Sequence, residues 1–306
     1  MIHYLKHHQI DKTRWDRCIN KAVNSRVYAC SWYLDMVCPG WEALVEEDYT
    51  YVFPLTGRWK GIYYLYQPFF AQQLGLFSSE ILTEARLHEF LEAIPRRFRF
   101  VEIHLNTLNK PDENLVRVIP RINYELDLIS PYEHLVKQYH QNTIRNLKKA
   151  KEQKVMIDRR TETDELVTLF MENFGEREGK LRFRDYEVMR HVIEYCRKHN
   201  KGFQLGAFSA DGKLSAAAFF IREGTRIYYL FAASAMSARE NGAMFLLIDS
   251  VIRENAAQNF TFDFEGSNDP GVGRFYHGFG ALAVTYPMIR INRIKSLLLL
   301  PSSSLK

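Results

Sequence analysis

The sequence is poor in cysteine and contains none of the short motifs in which cysteine or histidine binds zinc. Its 306 residues include four cysteines, Cys18, Cys30, Cys38 and Cys196, and no two of them form a C-x-x-C pair. The ten histidines include no H-E-x-x-H motif. We therefore expect no metal site and no permanently bound cofactor, and we expect the thiols to be reduced and buried.

The sequence also lacks a long apolar run. No segment approaches the roughly 18 consecutive apolar residues that a membrane-spanning helix needs. The first residues, MIHYLKHHQIDKTRW, contain neither an apolar core nor a small-residue cleavage site, so they do not resemble a secretory signal. We therefore expect a cytoplasmic protein without a membrane span.

Apolar and aromatic residues are plentiful enough to build a core. Hydrophobic residues make up 46% of the chain and aromatic residues 14%, which excludes a disordered protein. A chain of 306 residues is long enough for one large domain or two ordinary ones.

The two halves of the chain share one order of predicted elements. In the first half, strands between 41 and 66 precede a helix and then a strand at Arg99. In the second half, strands between 203 and 233 precede a helix and then a strand at Asn259. The repeated order predicts a duplicated α/β unit with a mixed sheet. We predict two domains, residues 1–129 and 130–306.

Positive charge is concentrated where these halves join. The net charge is +5, and residues 137–160 alone contain eight basic and two acidic side chains. The run Ser130-Pro131-Tyr132-Glu133 combines a capping box with a proline at the first helical position, so it predicts the start of a helix. The helical pattern continues to about Lys154, with a break near 141–143.

One face of this basic helix is a candidate binding surface. Arg145, Lys148 and Lys149 lie at helical spacings that bring them to the same side. The face is either an ordinary solvated surface or an anion site for tRNA phosphates, CoA phosphates or a nucleotide-linked precursor.

Residues 259–286, NFTFDFEGSNDPGVGRFYHGFGALAVTY, predict a strand, an acidic loop, a short aromatic helix and a second strand. Glu265, Asp269 and His277 are the candidate general bases, because a carboxylate or a neutral imidazole can take a proton from a reacting amine. Asp263 is expected to face inward as a structural residue. The alternative is a turn whose acidic side chains make local hydrogen bonds only.

A second candidate site precedes the predicted helix at 240–255. The loop SAMSARENGAM ends in Asn241 and Gly242, where free backbone N–H groups and the helix dipole favour an anion. Arg239 adds a positive side chain. Glycine and asparagine are also ordinary residues at a helix start.

The order of elements and this loop resemble the GNAT acetyltransferase fold, whose Q/R-x-x-G-x-G/A loop holds the pyrophosphate of an acyl-CoA. Arg239, Gly242 and Met244 occupy the positions of that pattern, and Met244 replaces its last small residue. The resemblance implies pyrophosphate contacts from the residues around this loop: Arg239, Asn241, Gly242 and Ala243. It also implies that backbone N–H groups near Phe231 and Ala233 stabilise the oxyanion.

Three stretches together are similar to the FemAB-like branch of the GNAT superfamily. The pattern R-x-x-x-K-A-x-x-x-x-V-x-I is matched by Arg145, Lys149, Ala150, Val155 and Ile157. The pattern D-F-x-G is matched by Asp263, Phe264 and Gly266. The pattern G-x-x-R-F-x-x-x-F-G is matched by Gly271, Arg274, Phe275, Phe279 and Gly280. This resemblance implies two tandem GNAT-like domains joined by a basic helical segment.

The resemblance also implies an activity. FemAB-like proteins transfer an acyl or aminoacyl group to an amine, so the expected donor cosubstrate is an acyl-CoA or an aminoacyl-tRNA. The expected acceptor bears an amine and can be a cell-envelope precursor. The basic helix and Arg274 would contact the donor, while Tyr66 and Gln67 would lie on the acceptor side.

One position departs from the FemAB-like pattern. Where those sequences often carry a lysine after the phenylalanine of the last motif, this chain has Tyr276, followed by His277. A tyrosine can hydrogen-bond a developing oxyanion but has no positive charge to offer it. The alternative function is therefore a non-catalytic nucleic-acid-binding or ligand-binding protein on a degenerate GNAT scaffold.

Overall fold

The computed structural model divides the chain into two compact units. The first combines Met1–Pro120 with the segment that begins at Pro287, and the second is Arg121–Tyr286. The structure describes residues 1–59, 61–178, 181–236, 238–266 and 268–294. Within the described residues, no helix is both long enough and apolar enough to cross a membrane.

The first unit is built on two sheets. Strands β1, β2, β3 and β6 pair antiparallel in that order. In the other sheet, β4 pairs antiparallel with β5, and β5 pairs parallel with β7. Its elements are β1 (Ile2–Leu5), α1 (Lys12–Lys21), α2 (Ser31–Val37), β2 (Glu42–Glu46), β3 (Tyr51–Leu55), β4 (Gly57–Trp59), β5 (Tyr63–Leu65), β6 (Phe77–Ser78), α3 (Glu84–Ala93) and β7 (Phe98–His104).

The second unit has one mixed sheet with the strand order β8-β13-β12-β11-β10-β9. Strands β12 and β13 are parallel, and the other neighbours in this order are antiparallel. Its elements are β8 (Arg117–Asp127), α4 (Tyr132–Val136), α5 (Gln141–Glu152), β9 (Met156–Asp158), α6 (Thr163–Glu178), α7 (Phe183–Lys198), β10 (Gly202–Phe208), β11 (Leu214–Glu223), β12 (Arg226–Ser234), α8 (Ala238–Asn241), α9 (Ala243–Asn255), β13 (Thr261–Asp263), α10 (Pro270–His277) and β14 (Leu282–Asn292).

Two of these strands connect the units along the chain. Strand β8 begins in the first unit, and β14 leaves the second unit and ends in the first, where Met288–Asn292 pairs antiparallel with β7. The compact units therefore divide at Pro120 and Tyr286, whereas the predicted domains divide between 129 and 130. The sequence offered no signal that the last strand would return.

The repeated order of elements is present in the structure. In the first unit, helix α3 connects the parallel strands β5 and β7. In the second unit, helices α8 and α9 connect the parallel strands β12 and β13. Strand β11 is buried along its middle because α9 covers one face of the sheet and α6 the other. The predicted α/β class with mixed sheets is confirmed.

Local capping signals were informative at one helix and misleading at another. Asp11 accepts a hydrogen bond from the Arg14 N–H at 3.1 Å and caps the start of α1, as its residue type favours. The predicted cap by Ser130 is wrong, because Pro131 is the extended residue before α4 and no side chain caps that helix. The predicted break in the basic segment is real and separates α4 from α5.

The four cysteines are buried and free, as predicted. Burial raises the pKa of Cys18 to about 12, that of Cys38 to about 11 and that of Cys196 to about 12. These three thiols are therefore protonated at neutral pH and are poor nucleophiles.

Candidate functional site

Strand β12 separates from its parallel neighbour partway along its length. Pairing with β13 covers Arg226, Ile227 and Tyr228 only. The register with β11 shifts just beyond, since Tyr229 pairs with Phe220 but Phe231 pairs with Phe219. Leu230 is therefore a bulge residue, and a bulge bends the strand and re-aims its side chains.

The bulge sends neighbouring aromatic rings to opposite faces of the sheet. Tyr229 contacts Phe262 and Phe264 on the face of α9 and α10, whereas Phe231 contacts Phe170 of α6. The predicted oxyanion residues Phe231 and Ala233 lie just past the bulge and are buried. Beyond Tyr228 the strand is no longer paired with β13, and this split between the two strands is called the opening here.

The predicted phosphate loop is closed over by another helix. Gly242 has a left-handed backbone at φ +69°, and a Cβ there would lie 2.4 Å from the carbonyl oxygen of Asn146 in α5. The Asn241 amide accepts the Ala243 N–H at 3.0 Å and donates to Ser215 Oγ at 2.9 Å. Asn241, Gly242 and Ala243 are all buried. The start of α9 is thus satisfied within the protein, and the Arg239 side chain lies outside the described part.

Met244 has a structural partner inside the opening. The Tyr229 hydroxyl donates a hydrogen bond to Met244 Sδ at 3.1 Å. Burial and then the neighbouring Tyr276 raise the pKa of Tyr229 well above its ordinary value, so the hydroxyl keeps its proton. The side chain that departs from the GNAT loop pattern therefore reaches across to β12.

A buried charge cluster anchors the end of β13. Asp263 is fully buried, and its carboxylate accepts from Asn123 Nδ2 at 2.9 Å and from Arg226 at 3.1 Å. Arg226 also lies 2.9 Å from Glu125. Burial lowers the pKa of Arg226, but Asp263 and Glu125 outweigh that effect and raise it above its usual value. The expected inward-facing, structural role of Asp263 is confirmed by this burial.

Glu265 is held in an unusual backbone conformation next to this cluster. It has φ +63°, the left-handed region that few residues other than glycine adopt. Its backbone N–H donates to Asp263 Oδ1 at 3.0 Å, which fixes that conformation. A non-glycine residue in this region costs energy, and such residues cluster at functional sites.

The Glu265 carboxylate lies close to two tyrosines. Burial and then the charge of Glu265 raise the pKa of Tyr276. Burial raises the pKa of Tyr286 as well, with Arg121 opposing and Glu265 adding to the rise. Two predicted site residues, Glu265 and Tyr276, are therefore brought together, and both tyrosines are protonated at neutral pH.

Helix α10 places Tyr276 against the opening. The ring of Tyr276 is half-buried and lies 4.8 Å from Phe264 and 5.8 Å from Tyr124, measured between ring centroids. Gly273 allows this close approach, because a Cβ there would meet the Tyr124 hydroxyl at 2.5 Å. The aromatic helix thus packs on the strand that also carries Asn123.

Asp269 and His277 lie at the two ends of α10. Asp269 accepts the N–H groups of Gly271 and Val272 at 2.6 and 3.0 Å, and these bonds lower its pKa. His277 is exposed, and its Nδ1 lies 2.9 Å from the Ala281 carbonyl oxygen. A carbonyl can only accept, so the neutral ring carries its proton on Nδ1 and keeps a lone pair on Nε2. Arg274 is exposed on the same helix.

The basic face of α5 is exposed to solvent. Helix α5 buries Thr143, Leu147 and Ala150 and turns Arg145, Lys148 and Lys149 outward. Lys148 Nζ lies 3.8 Å from Glu152, and Arg145 has a long contact of 3.4 Å to Asn142. Among the described residues, Lys149 has no carboxylate within ion-pair distance.

The predicted acceptor-side residues belong to the first unit. The Gln67 amide accepts from the His104 N–H at 2.9 Å and donates to the Ala71 carbonyl at 2.5 Å, so both of its ends hold the loop. Tyr66 is half-buried, and burial together with its contact to Cys38 raises its pKa.

Sequence reasoning missed several residues of this region. Asn123 and Arg226 hold Asp263, Glu125 holds Arg226, and Tyr229 reaches Met244. A signal for two of them existed: Asn123 and Glu125 alternate along β8, which places polar groups on one face of a strand. Their distant partner could not be read from that alternation.

Comparison with known protein families finds a match that lies within the second unit. Residues 137–273 match the acetyltransferase (GNAT) domain family. The match covers 137 of the 306 residues, less than half of the chain, and it supports the GNAT family and the N-acyltransferase class that the sequence predicted. No curated protein sequence matches the chain.

Solved structures extend the GNAT likeness to the whole chain. FemX aligns with 93% of this chain and 97% of its own, with a TM-score of 0.64 and 14% identity. L-PGS from Bacillus licheniformis aligns over 86% and 88%, with a TM-score of 0.51 and 10% identity. A GCN5-related N-acetyltransferase from Sphaerobacter thermophilus aligns over 95% and 96%, with a TM-score of 0.50 and 12% identity. At these identities the similarity establishes the fold alone.

Proposed function

We propose that this GNAT protein transfers an acyl or aminoacyl group from a carrier to an amine, with Glu265 as the general base. One observation carries the proposal: Glu265 is held in a left-handed conformation at the end of β13, beside Tyr276. Across from it, β12 leaves its parallel partner. The strained backbone of Glu265 holds its carboxylate beside this opening in the sheet. There the carboxylate can accept a proton from a reacting amine.

In the proposed reaction the amine nitrogen attacks the carbonyl carbon of the carrier ester or thioester. A C–N bond forms, and the C–O bond to tRNA or the C–S bond to CoA breaks. Glu265 takes the proton from nitrogen, and that proton then passes to the leaving oxygen or sulfur. Backbone N–H groups between Phe231 and Ala233 are the proposed oxyanion donors, with the protonated Tyr276 hydroxyl as a second donor.

His277 and Asp269 take secondary places in this proposal. The lone pair on His277 Nε2 makes it the alternative base. The Asp269 carboxylate is engaged by two backbone N–H groups, so we assign it to holding the start of α10.

An aminoacyl-tRNA is the favoured donor, and an acyl-CoA is the alternative. A CoA pyrophosphate at the start of α9 would have to displace α5, because Asn241, Gly242 and Ala243 are buried. In contrast, Arg145, Lys148 and Lys149 face solvent and suit a polyanion. We assign these three side chains and Arg274 to donor binding.

The proposed acceptor is an amine on a cell-envelope precursor, as the FemAB-like resemblance implies. Tyr66 remains a candidate contact for it. Gln67 is better suited to shaping the loop, because both ends of its amide are engaged.

Replacing Glu265 with glutamine tests the proposal. The purified protein is given a small amine together with mixed aminoacyl-tRNA or with acetyl-CoA, and loss of the ester or release of the thiol is followed. Glu265→Gln should lower turnover by about a hundredfold or more, because it removes the base. Its melting temperature should stay near that of the parent, since the backbone bond to Asp263 is retained. Glu172→Gln, an exposed change on α6, is the matched control and should leave turnover unchanged.

The exposed basic face also favours a second function, binding of tRNA without transfer. That function predicts salt-sensitive tRNA binding with no loss of the aminoacyl ester. Full activity of Glu265→Gln would remove Glu265 as the base, whereas tRNA binding by a parent protein that transfers nothing would favour the second function.

A further inference from the structure

The β4–β5 hairpin of the first unit exposes three apolar side chains at one place. Trp59 is 61% exposed, Tyr63 42% and Ile62 37%. Trp59 and Tyr63 are paired across the hairpin, and their ring centroids are 4.9 Å apart. A cluster of large apolar groups at a hairpin end marks an interaction surface more often than single exposed residues do.

Arginines surround this apolar cluster. Tyr63 pairs with Phe98 at the start of β7, and Arg96, Arg97 and Arg99 lie on either side of Phe98. The Arg97 guanidinium lies 5.2 Å from the Tyr63 ring centroid and forms an ion pair with Glu42. It is therefore already engaged within the protein and braces the hairpin.

The two flanking arginines are available to an outside partner. Arg96 and Arg99 are exposed, and among the described residues neither has a carboxylate within ion-pair distance. Arg293 follows on the neighbouring strand, where its N–H donates to the Arg99 carbonyl at 2.7 Å. The Arg293 guanidinium donates to the Ile94 and Pro95 carbonyls at 3.0 and 3.3 Å, so it lies next to the segment that carries Arg96.

We propose that Trp59, Ile62, Tyr63, Arg96 and Arg99, called here the hairpin surface, dock on a membrane rich in anionic phospholipid. Tryptophan and tyrosine favour the boundary between headgroups and acyl chains, and an aliphatic tip enters the apolar side of it. Arginine guanidiniums bind phosphate in two-pronged geometry and are attracted to the negative membrane surface. The hairpin surface combines both features within the paired segments β4–β5 and the start of β7.

A single-stranded nucleic acid is the competing partner, and the composition of the cluster disfavours it. Nucleic-acid sites stack bases on aromatic rings, and Ile62 offers no ring. A lipid surface uses all three apolar side chains, because it accepts aliphatic and aromatic groups alike.

Vesicle co-sedimentation tests the proposal with the full-length protein. Vesicles of mixed phosphatidylglycerol and phosphatidylcholine should sediment the protein, vesicles of phosphatidylcholine alone should do so weakly, and added salt should release it. Of the four tryptophans, Trp15 and Trp41 are buried, Trp32 is half-buried and Trp59 is exposed, so an emission shift that the variant Trp59→Ser lacks reports on this site. Entry of Trp59 into the interface should shift its emission to shorter wavelength.

Three variants locate the contact. Trp59→Ser combined with Ile62→Ser should lower vesicle affinity by about tenfold or more, because two large apolar groups no longer leave water. Arg96→Gln with Arg99→Gln should lower affinity and flatten its salt dependence. Ile81→Ser, at a residue of the same unit that is 80% exposed, is the matched control and should bind as the parent does.

Two outcomes would overturn the docking proposal. One is equal vesicle binding by the parent and the Trp59 and Ile62 double variant, with both proteins folded by circular dichroism. The other is that the double variant loses binding to a single-stranded RNA oligonucleotide while no form binds anionic vesicles. Neither result depends on transfer activity. Either result can therefore overturn the docking proposal without overturning the proposed reaction.

Discussion

The buried Asp263 fixes the backbone conformation of the half-buried Glu265. Glu265 and Gly266 both have positive φ, and the left-handed conformation of Glu265 costs about 1–3 kcal/mol. The hydrogen bond from the Glu265 N–H to Asp263 offsets part of that cost. The Asp263 carboxylate can serve in this way because Arg226 and Asn123 hold it from behind.

Removing the Asp263 carboxylate should therefore destabilise the second unit strongly. Asp263→Ala removes one of the two carboxylates that hold Arg226 and leaves Glu125 alone, and removing one partner of a buried ion pair costs up to about 3–5 kcal/mol. Urea unfolding measures the change. Asp211→Ala, at an exposed hairpin turn, is the control and should barely move the midpoint. Equal midpoints for the two variants would contradict the structural role of Asp263.

At the residue scale, the sequence predicted where single side chains lie better than it predicted which residues they contact. The alternation of Phe262 and Phe264 with Asp263 predicted a strand and places Asp263 on the face opposite the two rings, and the structure buries that face as well. Its ion pair with Arg226 joins strands that are distant in sequence. Only the parallel pairing of β12 with β13 brings those two side chains together, and no local pattern encodes that pairing.

Helix α5 packs over the start of helix α9. Tyr132 and Tyr139, which precede α5, both donate hydrogen bonds to the buried Asp249 of α9, at 2.7 and 3.1 Å. These bonds fix the segment that leads into α5. The Asn146 carbonyl then comes close to Gly242.

Substituting Gly242 with alanine tests whether the close contact with α5 adds to the cost of a left-handed backbone. Gly242→Ala should cost about 2 kcal/mol or more, because it adds a steric conflict with α5 to the cost of a left-handed alanine. Gly212→Ala is the matched control, since Gly212 has φ +81° but open space around its Cβ position. It should cost about 1 kcal/mol. Chemical denaturation gives both values, and equal costs would show that α5 yields readily at Gly242.

At the element scale, sequence patterns located helices well and their surroundings poorly. A glycine before a helix correctly predicted the start of α9. The same glycine suggested an anion site, and the structure brings the backbone of α5 against its Cβ position. Glycine at a helix start permits either outcome, because it permits any close neighbour, and only packing decides which one occurs.

The distribution of cysteines makes the stability of each unit measurable separately. Cys18, Cys30 and Cys38 are buried in the first unit, and Cys196 is buried in the second. A buried thiol reacts only when its surroundings open, so the rate of thiol labelling reports local or global unfolding.

Thiol labelling should be slow in the native protein and complete after unfolding. Native protein treated with an alkylating reagent at neutral pH should keep all four thiols unmodified, because they are shielded from the reagent. In mild denaturant, peptide mapping should show Cys18, Cys30 and Cys38 labelled together, at a rate that can differ from that of Cys196. Rapid native labelling of any one of them would contradict its burial.

The return of β14 to the first unit has a consequence for how the protein is made. The second unit is continuous in sequence, so all of its residues are synthesised before Met288–Asn292. The first unit lacks a strand until Met288–Asn292 arrives to pair with β7. Although the first unit begins the chain, it must therefore be the later of the two to be completed, and until then the free edge of β7 needs protection from other growing chains.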